Sequence, residues 1–326
     1  MENRYSNVLV IGKNADTPLV EGNGLSIGSY VGNLKKAADS DLHSEIWCVD
    51  YPTSITEWRL LLRQPKKRRS LIRYEPSVVL PRTHSRIYLS LFSNSIDVGR
   101  SSASNPRNVS LWPQTWSEPA QGGDSERSQR IVVINGDKLS FVQGELYSLR
   151  RKCLKEIASL DLFGHGWHKS KITRIKIVLA ELVICVWGGR RPHLPAVRDW
   201  FSKPTNYLGP TKNKRETLMG YKYSLVIENS REFLTEKLFD SLLAGTIPIY
   251  VGPPVDQFQI PQHLVIQVAP NVQAIREGIV AATKVDYQLW LENVNHWLRR
   301  EETRNSWSSE AVFQKIVETL TASSAN

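Results

Sequence analysis

The chain has 326 residues, 41% of them hydrophobic, which predicts folded domains and excludes a disordered or fibrous chain. Its three cysteines, Cys48, Cys153 and Cys185, are too few and too scattered for a disulfide framework or a structural zinc site. Lys and Arg number 42 against 32 Asp and Glu, a net charge of +10 that suits a polyanionic small molecule, an anionic membrane or nucleic acid.

The densest basic run, Lys66-Lys67-Arg68-Arg69, carries no nucleic-acid motif. It reads as a solvated loop between a helix and a strand, offering at most a peripheral membrane contact, and no nucleic-acid partner is expected. The most apolar stretch, Ile175 to Trp187, is interrupted by Lys176 and Glu181 and falls short of the roughly 20 residues a span needs. The first residues lack the basic, apolar and small-residue order of a signal peptide, so the expected location is cytoplasmic.

Along the chain, Asn7 to Gly12 is a short apolar run ending in glycine, as in a buried parallel strand. A Gly-rich loop and a helix starting at Tyr30 follow, then a second strand over Glu45–Asp50. Thr56–Arg63 reads as a helix with Thr56 as N-cap, and Ser70–Glu75 as a third strand that Pro76 ends. The polar stretch from Ser117 to Gln129 reads as a linker, which divides the chain into 1–125 and 126–326. A second α/β unit restarts with the strand Ile131–Asn135, a basic helix from Glu145 to Ser159 and the strand Leu160–Phe163. Near the C-terminus, Leu289, Val294, Trp297, Val312, Phe313, Ile316, Val317 and Leu320 recur at helical spacing and are expected to pack on the second domain.

The most informative stretch runs from Gly220 to Pro254 and reads as a βαβ unit. Tyr223–Ile227 is an apolar strand, Thr235 an N-cap, Glu236–Ala244 a helix closed by Gly245, and Thr246–Val251 the next strand. Polar residues gather where strand becomes helix: Glu228, Asn229, Ser230, Thr235, Glu236 and Lys237. In open parallel sheets the carboxyl ends of the strands bind ligands, and a helix N-terminus suits phosphate. Lys237 opposes the helix dipole, a cost that a nearby anion offsets. Glu236 beside it has the two acceptor oxygens that a ribose diol needs.

Taken in order, Tyr221-Lys222-Tyr223, Glu228-Asn229-Ser230, Thr235-Glu236-Lys237-Leu238, Ala244-Gly245, Pro248 and Gly252 closely resemble the donor-binding signature of glycosyltransferase family 10, the α-1,3/α-1,4-fucosyltransferases. Two weaker matches extend the resemblance. Arg150 precedes Asp161-Leu162-Phe163-Gly164, as an arginine on a helix precedes a Tyr-Gly strand end in the family, and Tyr74-Glu75-Pro76 stands where the family has a Glu-Ser-Pro-like turn. The chain departs from the pattern at Glu232-Phe233, where the family usually has Asp-Tyr, and in a shorter donor loop.

The resemblance implies an α/β fold of the GT-B type, with two Rossmann-like domains facing across a cleft. It assigns acceptor binding to 1–125 and the nucleotide sugar to 126–326. It implies inverting transfer of L-fucose from GDP-fucose to a hydroxyl of an acceptor glycan, with no cofactor and no metal. Arg150, Lys222, Glu228, Asn229, Ser230, Thr235, Glu236 and Lys237 become the donor-binding set and Glu75 the candidate catalytic base. The only Asp-x-Asp, Asp39-Ser40-Asp41, lies far from the signature. Glu75 has an alternative role, a turn carboxylate pairing with Arg73 or Arg82. The seven-residue gap between Glu228 and Glu236 also occurs in retaining GT-B enzymes that use other nucleotide sugars. Other classes remain open too: a basic nucleic-acid-binding protein, or a sugar-binding relative without catalysis.

Overall fold

The computed structural model describes residues 8–18, 25–35, 45–114, 116–120 and 126–324; Asp39-Ser40-Asp41 lies outside them. The chain divides into two units, Met1–Thr115 with Asn305–Asn326, and Trp116–Arg304.

The first unit is built on four parallel strands in the order β1 (Val8–Gly12), β2 (Glu45–Val49), β3 (Arg69–Arg73) and β4 (Asn94–Asp97). Between them lie helices α1 (Ile27–Lys35), α2 (Ile55–Arg63) and α3 (Arg86–Leu89). Helix α1 begins three residues before the expected Tyr30. Helix α2 is capped by Ser54, whose hydroxyl accepts the Glu57 N–H, and not by Thr56. Ser54 is in extended backbone, and an N-cap must stand outside the helix to turn its oxygen back onto the free N–H groups.

The second unit carries six parallel strands. In spatial order they are β10 (Ile266–Gln267), β9 (Ile247–Val251), β8 (Tyr221–Ile227), β5 (Ser128–Ile134), β6 (Leu160–Phe163) and β7 (Tyr207–Gly209). The order reverses between β5 and β8, and such a switch point leaves a crevice at the carboxyl ends of the strands. Its helices are α4 (Tyr147–Glu156), α5 (Lys171–Trp187), α6 (Lys214–Met219), α7 (Lys237–Leu243), α8 (Val272–Thr283) and α9 (Tyr287–Arg299). The chain returns to the first unit within α10 (Glu301–Trp307) and ends on α11 (Ser309–Ser324). The fold is therefore α/β, with one parallel sheet in each unit.

Helix α11 departs from expectation. Val312, Phe313, Ile316, Val317 and Leu320 join the core of the first unit with Val8, Trp47, Ile72 and Ile96, and Phe313 packs against Tyr30 at 5.9 Å. The boundary between the units also falls earlier than residue 125, at Trp116, where Trp116 packs on Phe239 of α7. Helical spacing reveals that a face is buried but not which sheet covers it. Leu289, expected in the core, is 57% exposed, while Val294 and Trp297 are buried.

Candidate functional site

Strand β8 ends at Ile227, and the chain turns sharply at Glu228, Asn229 and Ser230. This turn is zipped onto the start of α4: the Leu146 N–H donates to the Asn229 carbonyl at 3.0 Å, and Glu145 and Ser230 form an antiparallel bridge. Arg150, one turn into α4, thereby reaches the strand end. Its Nε and Nη2 donate to the Ile227 carbonyl at 3.1 and 2.6 Å, and Nη2 also to Asn229 Oδ1 at 3.0 Å. Its neighbour Arg151 turns the other way, pairing with the buried Asp137. Burial lowers the Arg150 pKa, yet a guanidinium stays charged in proteins. At 4% exposure Arg150 is also a structural tie, so removing it frees a buried carbonyl as well as a cation.

Glu228 is fully buried and occupied by protein donors. Its Oε1 accepts the Thr235 N–H at 3.0 Å; Oε2 accepts the Thr235 hydroxyl at 2.6 Å and lies 3.4 Å from Lys237 Nζ. Lys237 Nζ also donates to Thr235 Oγ1 at 2.7 Å. The anion that offsets Lys237 is therefore Glu228, and the two fix the ammonium at the first residue of α7. Thr235 is not the N-cap: helix α7 starts at Lys237 after Glu236, with no side-chain cap, because Thr235 already faces Glu228. With seven residues α7 has a small dipole, so anion attraction here rests on the Lys237 and Arg150 side chains.

Glu236 is a third exposed and 3.8 Å from Lys214. Burial raises its pKa, but Lys237 and Lys214 together outweigh that and hold it below the usual carboxylate range. It is thus an ionised acceptor, suited to hydroxyls rather than to phosphate. Lys214, at the start of α6, also pairs with Asp240 at 2.8 Å and was not singled out by its sequence, since it sits in the charged run Lys212–Arg215 with no motif around it.

Gly252 explains the last glycine of the signature: a Cβ there would lie 2.3 Å from the Tyr250 hydroxyl and 2.8 Å from Glu228 Cγ. Gly245 has φ +65°, the left-handed conformation that ends α7. Lys222 is a correction to the donor set. It lies near the start of β8, five residues before Ile227, which is roughly 17 Å along an extended strand. Its ammonium sits 5.7 and 5.2 Å from the Tyr223 and Tyr287 rings, at the opposite end of the strand from Glu228. Among the described residues no cluster of His, Cys, Asp or Glu is arranged to hold a metal ion.

In the first unit, Glu75 follows β3 and is half-buried. Neither expected partner takes its carboxylate. Arg73 is committed to Asp97, Nε to Oδ1 at 2.7 Å and Nη2 to Oδ2 at 3.1 Å, and Arg82 stacks 3.8 Å over the Tyr51 ring. The Glu75 carboxylate makes no hydrogen bond or ion pair with any described residue.

Its backbone, in contrast, is held firmly. Asp50, at the end of β2 and fully buried, accepts the Tyr74 and Glu75 N–H groups on Oδ1 at 3.0 and 3.2 Å, and Asn14 Nδ2 on Oδ2 at 2.6 Å. His84 Nε2 lies 2.9 Å from the Glu75 carbonyl. Asp50 adopts φ +56°, unusual outside glycine and more often tolerated by Asp than by most residues. The sequence offers no signal for Asp50 beyond its place at a strand end.

Burial, then the Glu75 charge, push Asp50 up to about 7 from its ordinary 3.8, against the three N–H donors. Between about pH 4 and 7 the folded protein therefore binds more protons than the unfolded chain, and stability falls as pH rises through that window. A loss of about 1–3 kcal/mol is expected for the wild type between about pH 5 and 7.5, and Asp50→Asn should abolish most of it. Urea unfolding at the two pH values checks this, and an equal slope in both proteins would refute the assignment.

No family model matches the chain. A protein of Arabidopsis thaliana described as fucosyltransferase-like is 49% identical over 49 residues, which is 14% of this chain and 10% of that protein. The similarity is confined to those residues, and the chain matches only a tenth of that protein's length. Among solved structures, an α1,3-fucosyltransferase with GDP aligns over 100% of this chain and 93% of its own, at 14% identity and a TM-score of 0.47. Anabaena Alr3699/HepE with UDP and glucose aligns over 94% and 84%, at 12% identity and 0.49. TarM aligns over all of this chain but 56% of its own, at 11% identity and 0.43. At these identities and scores nothing about donor or acceptor passes to this chain. Phe233, where the chain departs from the resembling signature, is 1% exposed and packs inward.

Proposed function

We propose that the chain is a glycosyltransferase of the GT-B type that transfers L-fucose from GDP-fucose to a hydroxyl of an acceptor glycan, with inversion and without a metal. The observation that carries this reading is the Glu228–Thr235–Lys237 cluster. It fixes an ammonium at the carboxyl end of β8, one of the two strands that form the topological switch point, in the residues that match the donor signature.

In this reading Lys237 and Arg150 take up the charge that develops on GDP as the sugar–phosphate bond breaks, the task a divalent cation performs elsewhere. Glu236 accepts the ribose hydroxyls. Asn229 and Ser230 shape the turn, and Glu228 holds Lys237 and Thr235 rather than touching the donor. Glu75 removes the proton of the acceptor hydroxyl, oriented by Asp50 and His84 through its backbone.

A thermal-shift panel of GDP, UDP, ADP and CMP tests the donor, because a ligand that binds only the folded state raises its stability with concentration. GDP is expected to give the largest shift, unchanged by EDTA. Lys237→Ala should weaken GDP by about 1.5–3 kcal/mol, the range for a hydrogen bond to a charged group. A preference for UDP, a strict need for manganese or magnesium, or normal GDP binding by Lys237→Ala would each overturn the corresponding part of the proposal.

A further inference from the structure

Helix α5 is the most apolar helix of its unit, yet little of it is buried. Only Arg174 and Cys185 among its 17 residues are. Ile172, Ile175, Leu179, Val183, Val186 and Trp187 follow one another at spacings of three or four, closing with a spacing of one, and are 48–83% exposed. They form one outward stripe along the helix. Contiguous exposed apolar surface of this kind marks an interaction site.

The surroundings of the stripe are basic. Lys171 and Lys176 are exposed on the helix itself, and Arg190 and Arg191 are exposed just beyond its end. The single acidic residue of the helix, Glu181, is half-buried beside Lys138, and burial raises its pKa to about 6. Trp187, 83% exposed, stands at the helix terminus, where an amphipathic ring suits a lipid headgroup boundary.

We infer that α5 is a docking surface for an anionic phospholipid membrane, lying in the interface with Ile172, Ile175, Leu179, Val183, Val186 and Trp187 toward the acyl chains. Charge decides between occupants. A second copy would add a further molecule of net charge +10 against a face flanked by Lys171 and Lys176, which opposes association. An anionic bilayer instead attracts both the stripe's lysines and the arginines beyond it. The helix cannot cross the bilayer: 17 residues span about 26 Å, and no helix among the described residues is long and apolar enough. This surface is independent of the transferase reading, and it is not the Lys66–Arg69 run. There Arg69 is spent on the Gln64, Leu62 and Leu91 carbonyls, leaving Lys66, Lys67 and Arg68 exposed.

Sedimentation of the full chain with phosphatidylcholine vesicles, with and without roughly one third phosphatidylglycerol, tests the inference. Binding to the anionic vesicles is expected, at least about tenfold above pure phosphatidylcholine. The triple variant Leu179→Ser/Val183→Ser/Trp187→Ser should lose binding by about tenfold or more with an unchanged melting temperature, since all three side chains face outward. Arg190→Glu/Arg191→Glu should weaken it through charge alone. Equal binding by the triple variant, binding lost only on neutralising Lys66, Lys67 and Arg68, or a wild-type dimer that the triple variant converts to monomer without any vesicle binding would overturn it. Nucleotide affinity of the triple variant, measured alongside, should not change, which separates this outcome from failure of the transferase proposal.

Discussion

Glu75→Gln is expected to lower transfer by roughly 10²–10⁴-fold, the span for losing a general base, while GDP affinity stays within about a factor of two. Glutamine keeps the size and the backbone contacts of Glu75, so the Asp50 and His84 hydrogen bonds to the main chain persist. It loses only the ability to accept a proton. The structure strengthens the contrast with the alternative role, because Arg73 is paired to Asp97 and Arg82 lies on Tyr51. With no ion pair to break among the described residues, little stability should be lost. Hydrolysis of GDP-fucose should fall less than transfer, since water can release its proton to solvent. A melting curve and a transfer assay on the same variant are the measurements. A folded variant with near-normal transfer removes Glu75 from the mechanism.

Glu228→Ala is expected to cost about 3–5 kcal/mol of stability, the range for breaking a buried charge pair by deleting one partner. Three donors, the Thr235 N–H, its hydroxyl and the Lys237 ammonium, lose their acceptor at once at a residue with no exposed surface. GDP binding should fall with it, because Lys237 is no longer held in place. Glu228→Gln should be milder, since its amide oxygen still accepts the Thr235 N–H, while its amide nitrogen takes the place of the oxygen that the Thr235 hydroxyl and Lys237 share. Urea denaturation of both variants, with GDP titrated into each, separates loss of fold from loss of donor binding. An unchanged unfolding midpoint in Glu228→Ala would show that the cluster does not stabilise the unit.

The gap between the donor signature and its geometry is instructive. The strand–helix–strand plan of residues 221–251 was legible because the apolar runs, Gly245 and Gly252 are local signals. The role of each polar residue inside it was not. Glu228 looked like a ligand residue and is a buried acceptor for its own loop; Lys222 looked like part of the same site and lies at the other end of β8. A motif records order along the chain, whereas a ligand sees which side chains remain open after the fold has satisfied itself.

The amino-acid sequence alone determined the α/β class, most strand positions, the strand–helix–strand plan of residues 221–251 and the absence of a disulfide framework, because periodicity and turn residues act over a few positions. Tertiary structure decided the rest. It drew α11 from the end of the chain into the first unit, joined Arg150 to Ile227 and Asn229 across 77 and 79 residues, and hung the Glu75 backbone on Asp50 across 25. Each of these contacts depends on which buried carbonyl, N–H or apolar face found a partner far along the chain, and no local pattern encodes that choice.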